Sequence, residues 1–231
     1  MDLAIALLPG LDGTGLLFGP FLDARPTDVR VSVVTYPPDR FLSKAEVVDE
    51  AARQIPRDRD VVLVAESFSG PIAAELLRRR PPNVRGAVFA ASFLSPPRPV
   101  LLKIAGLLPA RAFAGARATI WLRKRLALGW DVSPETYRLF QQAQRTVAPA
   151  VLAGRLRILR DLKPPPDPID LPACYIQAAR DRLVPARCAD DYRAAFPNLH
   201  FARLDGPHLI LQARPRDCWR VVSEFLRSLG R

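Results

Sequence analysis

The sequence has little histidine and cysteine, and it has no long uninterrupted apolar run. Two histidines and three cysteines occur in 231 residues, and the cysteines, an odd number, lack metal-ligand spacing. This argues against a disulfide framework and a metal site, so we expect reduced, mostly buried thiols. No apolar run reaches the ~18 residues of a membrane-spanning helix. The first residues, MDLAIALLPGLDG, lack the basic region and cleavage site of a signal peptide, which predicts a cytoplasmic protein.

Acidic residues are scarce in one part of the chain. The net charge is +11, and residues 98–163 contain thirteen Lys or Arg against three acids, which gives this part alone +10. Such a segment suggests an anionic headgroup or membrane surface as a partner, although arginines on solvated helix faces would give the same composition. It has no nucleic-acid recognition motif, so we do not expect nucleic-acid binding. Nothing in the sequence indicates the oligomeric state.

Apolar strand patterns alternate with amphipathic helix patterns along most of the chain. This alternation is typical of an α/β protein with a mostly parallel central sheet that helices cover on both faces. The predicted strands are residues 2–9, 29–36, 60–67, 84–93, 173–179 and 199–204. The predicted helices are residues 43–55, with Ser43 as N-cap, 71–80, 185–195 and 209–228.

A long helical segment interrupts this alternation. Residues 95–163 show only helical patterns, with breaks at Pro109, Gly129-Trp130 and Pro149, and the proline-rich KPPPDP follows. Because about seventy residues are too many for an ordinary connection, we expect an insertion. The predicted organisation is a core of residues 1–94 and 164–231 with a helical cap at 95–163.

Ser67 follows an apolar strand in VVLVAESFSGP, at the start of a predicted helix. A hydroxyl needs a base before it acts as a nucleophile, and a tight strand-to-helix turn exposes it to one. Small residues two before and two after the serine let the turn close, and here these are Ala65 and Ser69, followed by Gly70. The G-x-S-x-G pattern is therefore relaxed, and a helix-capping serine is the alternative interpretation.

Of the two histidines, His208 is the candidate base. It follows the last predicted strand, whereas His200 lies inside that strand and is expected to be structural. Asp181 comes just after another strand, and it gives the chain order Ser, acid, His of this kind of site. Such an acid would hold the imidazole in the required tautomer. The other acids fit less well, since Asp205 is expected to shape the turn before His208, and Asp190 and Asp191 to lie solvated on a helix.

A glycine-rich turn, LLPGLDGTG, follows the first strand. An oxyanion hole needs two backbone donors aimed at one point, and the N–H groups of Leu11 in this turn and of Phe68 after Ser67 are the candidates. The glycines permit close backbone approach. The alternatives are an ordinary turn or a phosphate-binding loop, but neither G-x-x-x-x-G-K-[ST] nor G-x-G-x-x-G is present.

Taken together, LLPGLDGTG, AESFSG, Asp181 in ARDRLVP and His208 in DGPH resemble the α/β-hydrolase family. The first two motifs also look like those of plant phytyl ester synthases and related bacterial esterases. The resemblance implies a compact version without the first two strands, with residues 95–163 as a lid inserted after the sixth strand of the family pattern. It implies a Ser67 nucleophile, a His208 base, an Asp181 orienter and an oxyanion hole from Leu11 and Phe68. Pro9-Gly10 replaces the His-Gly of many relatives, and both elbow glycines are absent.

The expected function is that of a serine hydrolase that cleaves small-molecule esters or thioesters of apolar acyl groups through an acyl-enzyme, without a cofactor. The aromatic residues of the lid are expected to wall the acyl pocket; they are Phe113, Trp121, Trp130 and Phe140. An acyltransferase that uses the same acyl-enzyme is one alternative. A non-catalytic protein that binds anionic membranes through the basic lid is another.

Overall fold

A six-stranded parallel sheet forms the centre of the molecule in the computed structural model, which describes residues 3–107, 125–129 and 133–230. The strands lie in the order β2-β1-β3-β4-β5-β6, and every neighbouring pair is parallel, which confirms the predicted sheet. The strands are β1 Leu3–Leu8, β2 Arg30–Val33, β3 Asp60–Glu66, β4 Val84–Ala90, β5 Ala173–Ala178 and β6 Leu199–Leu204.

The chain changes direction across the sheet between β1 and β3. From β1 it crosses to β2 at one edge and then returns to the other side of β1 to form β3. Loops after strands on either side of such a switch point leave an open crevice at the carboxyl edge of the sheet. The loop after β1 and the turn after β3 meet there, and these are the two segments that carry the predicted site motifs.

Helices cover both faces of the sheet, as predicted. Along β1, Ala4, Ala6 and Leu8 pack in one buried cluster, while Ile5 and Leu7 pack in the other, because successive side chains point to opposite faces. Helices α2, α3 and α7 cover the first face, and α1, α8 and α9 cover the second. Their bounds are α1 Gly19–Asp23, α2 Lys44–Gln54, α3 Gly70–Arg78, α7 Cys188–Ala195, α8 Ile210–Ala213 and α9 Pro215–Ser228.

Several predicted boundaries are wrong. The single helix expected at 209–228 is two helices, because Pro215 disfavours helical backbone at Arg214, whose φ is −135° and ψ is 53°. The helix expected from residue 185 begins at Cys188. Strands β1 to β5 end earlier than predicted, and positive φ at Ser67 (48°) and Ala91 (45°) shows how the backbone turns away from β3 and β4. Ser43 as N-cap and the bounds of β6 are as predicted, and Ser43 also forms a capping box with Glu46.

Between β4 and β5 the described residues form helices joined by loops, and no strand occurs among them. The helices are α4 Pro99–Leu107, α5 Pro134–Thr146 and α6 Pro149–Arg160. Helix α4 packs against α6, and α5 packs against the turn at Leu16–Phe18. Of the predicted helix breaks, those at Gly129, with a φ of 74°, and before Pro149 are present, whereas Pro109 lies outside the described residues. The aromatic residues Phe113, Trp121 and Trp130 also lie outside them. Across the described ranges, no helix is both long enough and apolar enough to span a bilayer.

Candidate active site

Ser67 begins a tight turn between β3 and α3. Its φ of 48° lies in the left-handed region, which non-glycine residues rarely adopt, and its side chain is 8 % exposed. Such a conformation persists only where the surroundings hold it. Ser92 Oγ donates to the Ser67 carbonyl oxygen at 2.6 Å, and Tyr192 Oη donates to Ser92 Oγ at 2.9 Å, all in the buried interior. This chain of hydrogen bonds fixes the peptide that follows Ser67.

Ser69 and Gly70 explain how the turn closes without the usual glycines. Ser69 Oγ donates to the carbonyl oxygen of Pro9 and lies 2.8 Å from Tyr36 Oη, so it joins the turn to the loop after β1. The close approach falls at Gly70, where an added Cβ would collide with Ser92 Oγ and Tyr192 Oη. The small residue that the turn requires is therefore one position later than in G-x-S-x-G.

His208 reaches Ser67 from the loop after β6. Its Nε2 lies 2.9 Å from Ser67 Oγ, and its Nδ1 lies 2.8 Å from Asp181 Oδ2. Asp181 sits just past β5, and its second oxygen, Oδ1, accepts from the N–H groups of Leu183 (2.7 Å) and Val184 (2.8 Å). The structure thus brings the three predicted side chains into one hydrogen-bonded row at the carboxyl edge of the sheet.

The competing acids and the second histidine lie elsewhere. Asp205 pairs with Arg180 at 2.9 Å on the surface, Asp190 pairs with Arg193, and Asp191 accepts from Ser95 Oγ. His200 is exposed on β6, with its ring against Phe225. None of them touches Ser67 or His208 in the parts of the chain that the structure describes.

The loop after β1 places Leu11 beside the turn at Ser67. Gly13 N–H donates to the Gly10 carbonyl oxygen at 3.0 Å, which makes Leu11 and Asp12 the two central residues of a turn. A Cβ at Gly10 would lie 4.0 Å from Ser67 Cβ, so this turn and Ser67 are adjacent. Within the described residues, the Leu11 N–H has no backbone acceptor. It is therefore free to bind an oxygen, as is required of an oxyanion donor.

Charges near His208 change its basicity. Burial lowers the pKa of His208, but the charge of Asp181, its hydrogen bond to the ring and the charge of Glu66 together outweigh burial and raise the pKa above its ordinary value. Burial raises the pKa of Glu66 to about 7, Asp12 adds to the rise, and His208 and Gln212 oppose it. Glu66 is 1 % exposed, and its Oε1 has no partner among the described residues.

The comparison with known families agrees with the fold. A sequence profile of the alpha/beta hydrolase family matches residues 5–221. The chain belongs to the alpha/beta hydrolase family. A search of curated protein sequences finds no match.

Solved structures of alpha/beta hydrolases are similar over nearly the whole chain. An enol-lactonase from Burkholderia xenovorans LB400 is 15 % identical with a TM-score of 0.80, over 96 % of this chain and 90 % of that chain. A hydrolase from Pseudomonas aeruginosa PA01 is 18 % identical with a TM-score of 0.79, over 97 % and 89 %. A carboxylesterase from Bacillus subtilis, CesB, is 19 % identical with a TM-score of 0.68, over 96 % and 83 %. At these identities the likeness shows the fold alone.

A cavity of about 340 Å³ opens beside Ser67 and His208. One wall comes from the loop after β1 and from Leu183 and Val184, and the other comes from the helical segment between β4 and β5. Phe140 lines the cavity; among the aromatic residues predicted to wall the acyl pocket, it is the one that lies within the described residues. The rest of the lining is mostly apolar and includes Leu17, Phe93, Leu102, Leu152, Leu156 and Leu159. Its volume is near the lower end of the roughly 300–1,000 Å³ of ligand pockets.

Several residues around the site were not predicted. Ser92, Tyr192, Gln212 and Arg155 belong to no motif, because each acts on partners far away in the chain, which the sequence does not display. Glu66 had a local signal, since it is a carboxylate at the end of an apolar strand directly before Ser67. No group of three or more His, Cys, Asp or Glu side chains able to hold a metal occurs in the described residues.

Proposed function

We propose that this alpha/beta hydrolase is a serine hydrolase that cleaves carboxylic esters or thioesters of apolar acyl groups. One observation carries the proposal: Ser67 Oγ, His208 and Asp181 form a continuous hydrogen-bonded row that opens into an apolar cavity. Esterases and a lactonase among the similar structures favour the same reaction class.

In the first half of the reaction, Ser67 Oγ attacks the acyl carbonyl carbon and His208 Nε2 takes its proton. Asp181 keeps the proton on Nδ1 and stabilises the imidazolium. The negative charge moves to the former carbonyl oxygen, which the N–H groups of Leu11 and Phe68 bind. The tetrahedral intermediate then collapses, the bond to the alcohol or thiol breaks, and the leaving group takes the proton from His208.

In the second half, a water molecule attacks the acyl-enzyme while His208 Nε2 takes a proton from it. The second tetrahedral intermediate releases Ser67 Oγ, which recovers its proton, and the carboxylic acid leaves. The apolar cavity would hold the acyl chain, and its volume favours chains of moderate length. Residues 95–163 would form a lid over this cavity.

The test is hydrolysis of p-nitrophenyl esters of increasing chain length by wild type and by Ser67→Ala. Ser223→Ala on α9 is the matched control. A fluorophosphonate probe should label wild type and the control, and Ser67→Ala should lose both label and turnover. Absence of both turnover and label in wild type would reject the proposal, and binding to anionic vesicles would then be measured. Added long-chain alcohol separates hydrolysis from acyl transfer, since a transferase yields new ester.

A further inference from the structure

A buried arginine from the helical segment contacts the loop that carries Leu11. Arg155 lies on α6, is 3 % exposed, and its guanidinium donates to the carbonyl oxygens of Leu11 (2.8 Å) and Asp12 (2.6 Å) through one nitrogen. The other terminal nitrogen donates to the Pro37 carbonyl oxygen at 3.0 Å. The guanidinium also lies over the Tyr36 ring, 5.8 Å from its centroid. One side chain therefore joins α6 to two loops of the sheet.

These hydrogen bonds act on the peptide planes that shape the turn. Leu11 and Asp12 are its central residues, so a donor that bridges both carbonyls fixes the orientation of both peptides. Gly13, with a φ of 71°, provides the space, because a Cβ there would come within 2.6–2.9 Å of the guanidinium. The Leu11 N–H belongs to the preceding peptide, whose Gly10 carbonyl oxygen accepts from the Gly13 N–H, so its direction depends on the turn that these hydrogen bonds hold.

The partners of Arg155 are unusual for a buried charge. Its hydrogen bonds go to three backbone carbonyls, whereas the buried carboxylate of Asp12 acts on it only through its charge and forms no ion pair with it in the described ranges. A buried charge without a direct ion pair is costly, and apolar packing would attach α6 to the loop at lower cost. Unlike apolar packing, the guanidinium offers several N–H donors in a rigid planar arrangement, and these can hold carbonyl groups in fixed orientations.

We propose that Arg155 is a positioning residue that holds the loop after β1 in the geometry that lets the Leu11 N–H serve the oxyanion hole. The inference rests on the proposed function. Because the arginine comes from the helical segment, the oxyanion hole is complete only while α6 is seated on the sheet.

The test compares Arg155→Met, Arg155→Lys and Arg157→Met with wild type. Arg157 is exposed on the same helix, so it controls for loss of a charge on α6. We expect Arg155→Met to lower kcat about 100-fold, the loss typical of one oxyanion donor, with KM nearly unchanged. Binding of a trifluoromethyl ketone, whose adduct with Ser67 places an oxyanion in the hole, should weaken in parallel, whereas binding of the product acid should not.

Two results would overturn the inference. One is a folded Arg155→Met with wild-type kcat, or, if that variant does not fold, an Arg155→Lys with wild-type kcat. The other is a loss of kcat without weaker ketone binding. An inactive, unlabelled wild type would instead reject the proposed function. In that case hydrogen exchange at the Gly13 N–H still tests the contact, since it should be faster in Arg155→Met than in Arg157→Met.

Discussion

The two carboxylate oxygens of Asp181 have different partners. Oδ1 accepts two backbone N–H groups, so in Asp181→Asn the amide oxygen must occupy that position and the amide NH₂ must face His208 Nδ1. The ring nitrogen can then no longer donate there, and the imidazole is held in the wrong tautomer. We expect kcat to fall on the order of 10³–10⁴-fold with little change in KM, measured by ester hydrolysis.

Asp205→Asn is the matched control for Asp181→Asn. Asp205 also follows a strand and lies close to His208 in the chain, but it pairs with Arg180 at the surface. It should keep wild-type kcat. Equal losses in the two variants would contradict the assignment of the orienting role to Asp181.

Glu66 lies near the base without being part of the hydrogen-bonded row. His208 accepts a proton only in its neutral form, so its raised pKa places the acid limb of kcat/KM above the ordinary midpoint of about 6.5. With a pKa of about 7, Glu66 is partly ionised across the acid limb, and Glu66→Gln removes this part of a negative charge, which favours the imidazolium. The pKa of His208 therefore falls, and the acid limb moves to lower pH. A pH profile measures this, and a limb that stays in place or moves upward would contradict it.

The surface variant Glu75→Gln controls for the change from Glu to Gln. Glu75 pairs with Arg78 on the outside of α3 and is not among the groups that alter the pKa of His208. Its pH profile should match that of wild type.

At the scale of single residues, a member of the site could be predicted where its residue type is rare in the chain or where it lies in a recognisable motif. With two histidines in the chain, strand and loop patterns were enough to separate His208 from His200. Ser67 and Asp181 followed from their places after strands, and the structure brings all three together, although their roles stay a proposal. Arg155 could not be found in this way, because thirteen basic residues share its segment and its partners are backbone carbonyls.

Helix α3 can begin at Gly70, three residues after Ser67, because Gly70 leaves room for the side chains of Ser92 and Tyr192. A methyl group at Gly70 would displace the hydrogen bonds that hold the Ser67 peptide. We expect Gly70→Ala to lower the free energy of unfolding by about 1–3 kcal/mol, as for overpacked interiors, and to reduce kcat. Chemical denaturation with tertiary-structure detection measures the stability.

Gly10→Ala is the control for stability. The nearest atoms to a Cβ at Gly10 are 3.8–4.0 Å away, which is ordinary van der Waals contact. Its unfolding midpoint should stay close to that of wild type. If Gly70→Ala were as stable as Gly10→Ala, the close approach of Gly70 to Ser92 and Tyr192 would not be what the turn at Ser67 requires.

The order of strands and helices could be predicted because the buried strands are short apolar runs, and several helices, such as α2 and α9, bury apolar residues at helical spacing. The ends of the elements were less predictable. Strands β1 to β5 end early because the following residues form the loops of the site, where tertiary hydrogen bonds override strand propensity. The division between α8 and α9 did have a local signal in Pro215, which the apolar periodicity concealed.

Across the whole molecule, positive charge is concentrated in residues 98–163. On α5, Arg138 and Arg145 are exposed beside a surface depression. If this charge attracts an anionic substrate, Arg138→Glu with Arg145→Glu should raise KM several-fold for an anionic ester and leave a neutral ester unaffected. The difference should vanish at high salt, because exposed charges are screened.

Arg216→Glu with Arg227→Glu on α9 gives the same change in net charge in another part of the molecule. This pair should affect the two esters alike. Equal effects of both pairs on the anionic ester would mean that net charge matters and the position of the basic segment does not.

The hydrogen bonds that complete the site join distant parts of the chain. Ser67 and His208 are 141 residues apart in sequence, and Leu11 and Arg155 are 144 apart. Contacts of such separation close large loops and are slow to form during folding. The groups of the candidate site therefore come together only after the sheet and the helices between β4 and β5 have packed together. A newly made chain can be compact and helical for some time before it is able to hydrolyse anything.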